Sequence, residues 1–64
     1  MTYHMEGNRL CVHIDQPITL KELFDRFSLS KKQRHLCRME GTIQCNNRIV
    51  RNDDQLLEHE VLII

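Results

Sequence analysis

Proline occurs once, glycine twice and tryptophan not at all in this 64-residue chain. Those scarcities exclude a collagen-like or low-complexity sequence, and a 41% hydrophobic content describes a globular one. No apolar run is long enough to span a bilayer, so no membrane partner is expected. The opening Met-Thr-Tyr-His-Met-Glu lacks the apolar segment of a signal peptide. Cys11, Cys37 and Cys45 are odd in number and show no Cys-x-x-Cys spacing, which argues against a disulfide framework. A reducing, cytoplasmic setting is the simplest expectation. At this length one domain, residues 1–64, stands near the lower limit at which a hydrophobic core holds itself together.

An excess of charge is also missing: nine basic residues balance nine acids, which taken alone argues against a nucleic-acid binder. The distribution says otherwise. Between Arg26 and Arg51 lie Arg26, Lys31, Lys32, Arg34, Arg38, Arg48 and Arg51, against the single acid Glu40. Segregation of this kind makes a basic patch on a neutral protein. A solvated helix face that is merely positive gives the same pattern.

The chain alternates early. Tyr3 and Met5 fall on one face of a strand with His4 and Glu6 on the other, and Leu10, Val12 and Ile14 alternate with Cys11 and His13. Gly7-Asn8 between these runs suits a two-residue hairpin turn, so a β-hairpin over residues 1–16 is expected, ending at Asp15-Gln16-Pro17. Residues 17–64 form the remaining core. Thr19-Leu20-Lys21-Glu22 is a capping box, with Ile18 and Leu23 placed as a hydrophobic staple. Leu20, Leu23, Phe24 and Phe27 repeat at helical spacing, so a helix from about Leu20 to Phe27 buries that stripe. Sharing a stripe with leucines makes the two Phe residues core rather than a base-stacking platform.

A second capping box, Ser30 with Gln33, opens a basic helix that Gly41 closes. Lys31, Arg34, His35 and Arg38 stand at i, i+3, i+4 and i+7, on one helical face. Two lysines in the first turn oppose the macrodipole, whereas a phosphate would suit the free N–H groups there. Thr42 to Cys45, the turn at Asn46-Asn47 and Arg48 to Val50 form a strand–turn–strand segment, and Glu60 to Ile64 a last strand. Ending on apolar residues, the chain is expected to be part of a longer protein. The fold class is α+β: an N-terminal β-hairpin, two short helices, then a strand–turn–strand segment packing with the hairpin.

That constellation resembles the small RNA-binding domain first described in ribosomal protein S-four, with its αL motif. Ser30 and Lys32 match the opening of the family's helix, Gly41 its end, and Ile43-Gln44-Cys45-Asn46 the strand before the turn. Asn47 replaces the family's turn glycine, His59-Glu60 stands where Gly-Asp is usual, and Lys32 replaces an arginine. With the hairpin, the Thr-Leu-Lys-Glu-Leu helix and the Leu-Ser-Lys-Lys segment, the chain is similar to the N-terminal domain of bacterial pseudouridine synthases that modify large-subunit ribosomal RNA. The resemblance implies a module that holds RNA while a separate C-terminal domain of the parent chain carries the catalytic Asp. None of Asp15, Asp25, Asp53 or Asp54 sits in a matching catalytic motif, so no catalytic residue is assigned to this chain.

The expected RNA-binding residues are Ser30, Lys31, Lys32, Arg34, His35, Arg38 and Arg48. Lysines and arginines would meet phosphates, Ser30 and the helix N-terminus would add an anion site, and Arg48 would approach from the turn. Recognition would then rest on the shape of a folded RNA and its 2′-OH groups. Reversing Lys31, Arg34 and Arg38 to Glu should remove RNA binding and leave the fold intact. Four basic residues of this region have a plainer role open to them. Arg48 and Arg51 serve equally as strand-edge charge, Lys32 as a stem over Leu36 and Met39, and His35 as an ordinary exposed histidine. Cys11 and His13, and His35 and Cys37, are each separated by one residue, closer than the ligand pairs of structural zinc sites, so no metal or cofactor is expected. Two other functional classes remain. One is a β-grasp sulfur carrier, which acts through a C-terminal Gly-Gly that this sequence lacks. The other is a protein-interaction module whose basic face meets an acidic partner.

Overall fold

The computed structural model describes every residue from Met1 to Ile64. Five antiparallel strands form one sheet: β1 (Thr2–Glu6), β2 (Arg9–Thr19), β3 (Ile43–Cys45), β4 (Arg48–Ile49) and β5 (Leu56–Ile63), in the spatial order β1-β2-β5-β3-β4. Helices α1 (Leu20–Arg26) and α2 (Lys31–Glu40) lie between β2 and β3 in the chain. The expected α+β architecture is therefore the observed one. The last strand enters between hairpin and strand–turn–strand, so β5 joins the two halves.

Local chemistry explains most boundaries. The β1–β2 hairpin closes at Gly7-Asn8, where Gly7 alone has positive φ (60°), the pattern of a type II′ turn. The β3–β4 hairpin instead has both Asn46 (φ 54°) and Asn47 (φ 63°) in the left-handed region, as a type I′ turn requires. Asn supplies this conformation because its short polar side chain tolerates it. Both capping boxes form. Glu22 N–H donates to Thr19 Oγ1 at 3.2 Å, and Gln33 N–H to Ser30 Oγ at 3.1 Å, while each N3 side chain accepts from the cap's own N–H. Gly41 ends α2 with φ 65°, and its N–H donates to the Cys37 carbonyl at 3.1 Å.

Two boundaries differ from the sequence expectation. β2 does not stop at Asp15-Gln16-Pro17 but runs on to Thr19 through a bulge: Ile14 faces His59 and Ile18 faces Leu57. Three residues of β2 thus span one residue of β5, and the missing Pro17 N–H costs no ladder bond where pairing is already broken. Correspondingly, β5 begins at Leu56, four residues before the expected start. His59 takes φ 62° at this bulge. It occupies the left-handed conformation that a glycine adopts without strain, at the position where the resembled motif carries Gly.

The core is a cluster of 11 buried side chains between the sheet and α1, with Leu20, Leu23 and Phe24 from the helix and Val12, Ile14, Ile43, Leu57 and Val61 from the strands. Ile18 belongs to the same cluster as Leu23, as a staple should. Phe27 packs at its margin, edge-on to Tyr3 with ring centroids 5.7 Å apart. Phe24 is therefore core, and Phe27 is half-buried against the core's margin.

Candidate nucleic-acid interface

Helix α2 presents the basic residues, but its orientation separates them into two sets. It contains no buried residue. Its half-buried side is formed by Arg34, Cys37 and Arg38, while Leu36 (43% exposed) and Met39 (65%) point to solvent. The inward arginines are tightly engaged. Arg34 Nε donates to the Leu29 carbonyl at 2.8 Å, and its Nη1 pairs with Asp25 Oδ1 at 2.8 Å. Arg38 Nη1 pairs with Asp53 Oδ1 at 2.9 Å. Both guanidinium groups sit over the Phe24 ring, 5.8 and 5.9 Å from its centroid. Asp53 also accepts at its backbone carbonyl from Lys21 N–H at 3.1 Å, so one residue ties α2 to the first turn of α1.

Arg51 is occupied as well. Its Nη1 donates to the Arg38 carbonyl, and to that of Met39 at 3.1 Å, capping the C-terminal end of α2 where the helix leaves carbonyls unpaired. Arg51 therefore serves neither as strand-edge charge nor as part of a free basic patch, but as a cap on α2. Lys31, Lys32, His35 and Arg48 are exposed and form no ion pair within the chain. Lys31, Lys32 and His35 share α2 with Ser30 at its N-cap. Arg48 stands apart on the edge strand β4, lining a shallow depression with Asn46, Gln55 and Leu56.

Position on one helical face did not translate into one environment. Lys31 and His35 flank the buried sector and stay in water, whereas Arg34 and Arg38 point at Phe24. Reversing Lys31, Arg34 and Arg38 together is consequently not a neutral change of surface charge. It would place new carboxylates against Asp25 and Asp53 and release α2 from α1. Asp25, in the last turn of α1, and Asp53 are the partners that single out Arg34 and Arg38 from the other cations of α2.

Elsewhere, the hairpin gathers ionisable groups on the sheet face away from the helices. His4 and His13 stack with centroids 5.2 Å apart, and Cys11 Sγ donates to Glu6 Oε2 at 3.0 Å. That bond, helped by the His4 ring, holds the Glu6 carboxyl below its ordinary range. The same bond and burial push the Cys11 thiol up to about 11. At the bulge, the N-terminal ammonium pairs with Asp15 and lowers its pKa. The depression beside Asp15 is lined by Glu22 and Arg26 and contains no nucleophile paired with a base.

No helix is long and apolar enough to cross a membrane. Comparison with curated proteins finds no match, and neither does comparison with solved structures. A family model described as the RluD ribosomal pseudouridine synthase N-terminal domain does match, over residues 13–62, and no catalytic domain is matched within this chain. That span runs from the middle of β2 to the end of the sheet and takes in both helices, so the chain belongs to the RluD ribosomal pseudouridine synthase N-terminal domain family.

Proposed function

We propose that this chain is an RNA-binding module that grips folded ribosomal RNA, as the N-terminal appendage of an rRNA pseudouridine synthase whose catalysis resides in another domain. The observation that carries the reading is the family match over both helices and four of the strands. The likeness of Ser30, Lys32, Gly41 and Asn46 to the S-four αL motif supports it. So does the division of cations on α2. Arg34 and Arg38 hold the helix in place, which leaves the Lys31, Lys32 and His35 side chains and the Lys31 and Lys32 N–H groups open to an anion, the Gln33 N–H being taken by Ser30 Oγ. Arg48 adds a separate exposed charge on β4. Contacts of this type bind phosphates and leave sequence unread, so discrimination falls to RNA shape.

The test is fluorescence anisotropy of a labelled ribosomal RNA stem-loop titrated with the chain at several salt concentrations. Affinity should fall linearly on a log–log salt plot, each phosphate contact contributing a slope of about −0.7 to −0.9. The Lys31→Glu/Lys32→Glu variant, altered only at exposed positions, should bind about tenfold or more weakly and show a shallower slope. Equal affinity in that folded variant would sink the proposed interface. Salt-independent binding would remove phosphate recognition altogether.

A further inference from the structure

The hairpin places a mixed sulfur, nitrogen and oxygen donor set on the sheet face opposite the helices. Two-residue closure at Gly7-Asn8 sets His4 directly across from Cys11, and Glu6 lies two residues along β1 on the same face. One ligand atom each from His4, Glu6 and Cys11 fall within 4.8 Å of one another. Cys11 is fully buried yet stands outside the main core cluster, anchored from the other side of the sheet. His4 and Glu6 are open to solvent by comparison, with side chains 49% and 65% exposed.

We propose that His4, Glu6 and Cys11 form a binding site for a borderline-soft divalent cation of the zinc type, with solvent completing the coordination. Thiolate, imidazole and carboxylate together suit zinc, whereas calcium and magnesium take oxygen ligands. Zinc bond lengths of about 2.0–2.3 Å set tetrahedral ligand atoms roughly 3.5 Å apart. The Cys11 Sγ–Glu6 Oε2 distance is 3.0 Å and His4 Nε2 lies 3.9 Å from Glu6 Oε1. With one donor atom from each residue inside 4.8 Å, rotation of the exposed His4 and Glu6 side chains onto the Cys11 sulfur would close these separations to zinc-binding distance. Binding exchanges the Cys11 thiol proton for the metal, and the proton leaves to solvent.

The arrangement continues behind the ligands. His4 Nδ1 is 3.3 Å from His13 Nε2, and His13 Nδ1 is 3.9 Å from Glu60 Oε2. The His4–His13 contact engages His4 Nδ1, leaves His4 Nε2 for the metal and orients its ring, the role that outer-shell partners play for metal-bound histidines. His13 is thus a positioning residue. The three ligands lie before residues 13–62, the span that the family model matches.

Reduced, chelator-treated full chain would be titrated with Co(II) and with Zn(II), the latter in competition with a chromophoric chelator. One equivalent of Co(II) should bind with a thiolate-to-metal charge-transfer band that Zn(II) abolishes. The band should persist in Cys37→Ser and vanish in Cys11→Ser. Because Cys11 is buried and its serine variant can fail to fold, the exposed His4→Ala and Glu6→Gln variants test the site separately. Each should weaken Zn(II) at least tenfold, with His13→Ala weakening it about 10–100-fold and His59→Ala leaving it unchanged. Absence of the band in the folded chain, or undiminished affinity in His4→Ala, would overturn the proposal.

Discussion

Helix α1, seven residues long, buries Leu20, Leu23 and Phe24 against the sheet, whereas α2, with ten, buries none and lays Arg34 and Arg38 over the same Phe24. The two helices begin with the same kind of capping box, so local chemistry does not separate them. Their attachment does. Apolar burial removes area from water whatever the salt concentration, and a buried Leu or Phe contributes on the order of 1.5–3 kcal/mol. The ion pairs of α2 are partly exposed and contribute about 0–1 kcal/mol each, less as salt rises. One helix is therefore a fixture of the core. The other is held by salt-sensitive ion pairs at its edge.

The contrast can be broken most forcefully at the residue both helices share. Phe24→Ala should cost about 3–5 kcal/mol by urea denaturation, because it opens the core and removes the ring beneath both guanidinium groups. A loss below about 1 kcal/mol would mean that α1 is not the anchor. A smaller effect should follow from Asp53→Asn, which keeps the backbone bond to Lys21 and removes the partner of Arg38. Stability should fall by about 0.5–1 kcal/mol. Amide exchange should then quicken in α2 more than in α1, and uniform quickening would contradict the difference in attachment.

Acid should sharpen the comparison at the β2 bulge, beside α1. The Asp15 carboxyl is lowered in the folded chain by the N-terminal ammonium, so its contribution is present above the ordinary carboxylate range and disappears as pH falls through its folded value. Denaturation at successive pH values should show the Asp15→Asn variant losing less stability than the parent on going from neutral to acid. Parallel curves would mean that the pairing contributes nothing. The slightest effect is expected at the bulge, where His59→Gly relieves a left-handed residue and should raise stability by a few tenths to about 1 kcal/mol. A lower melting temperature would show that the His59 side chain matters more than its backbone.

Much of this was legible because it depends on neighbours in sequence. Two capping boxes, the Leu20–Phe24 stripe, the terminating Gly41 and the Asn46-Asn47 turn each rest on a handful of adjacent residues, and all are present. The bulge at Asp15–Pro17 was not legible, since a proline normally marks the end of a strand and only the partner strand shows that pairing resumes. Charge misled differently. Spacing places Lys31, Arg34, His35 and Arg38 on one face, but it does not say which part of that face meets Asp25 and Asp53. The hairpin cluster was accessible in principle, because the Gly7-Asn8 turn sets His4 opposite Cys11. Spacing along a single strand concealed it.

By itself, then, the sequence determined the elements, their caps and turns, and the apolar set that must be buried, because these follow from side-chain chemistry and periodicity over short distances. Tertiary structure alone decided which cations are engaged inside the fold and which stay exposed, and how closely the His4, Glu6 and Cys11 donor atoms approach one another. Those outcomes depend on the register of β1 against β2 and on how α2 rotates over Phe24, and both are settled by packing between distant segments.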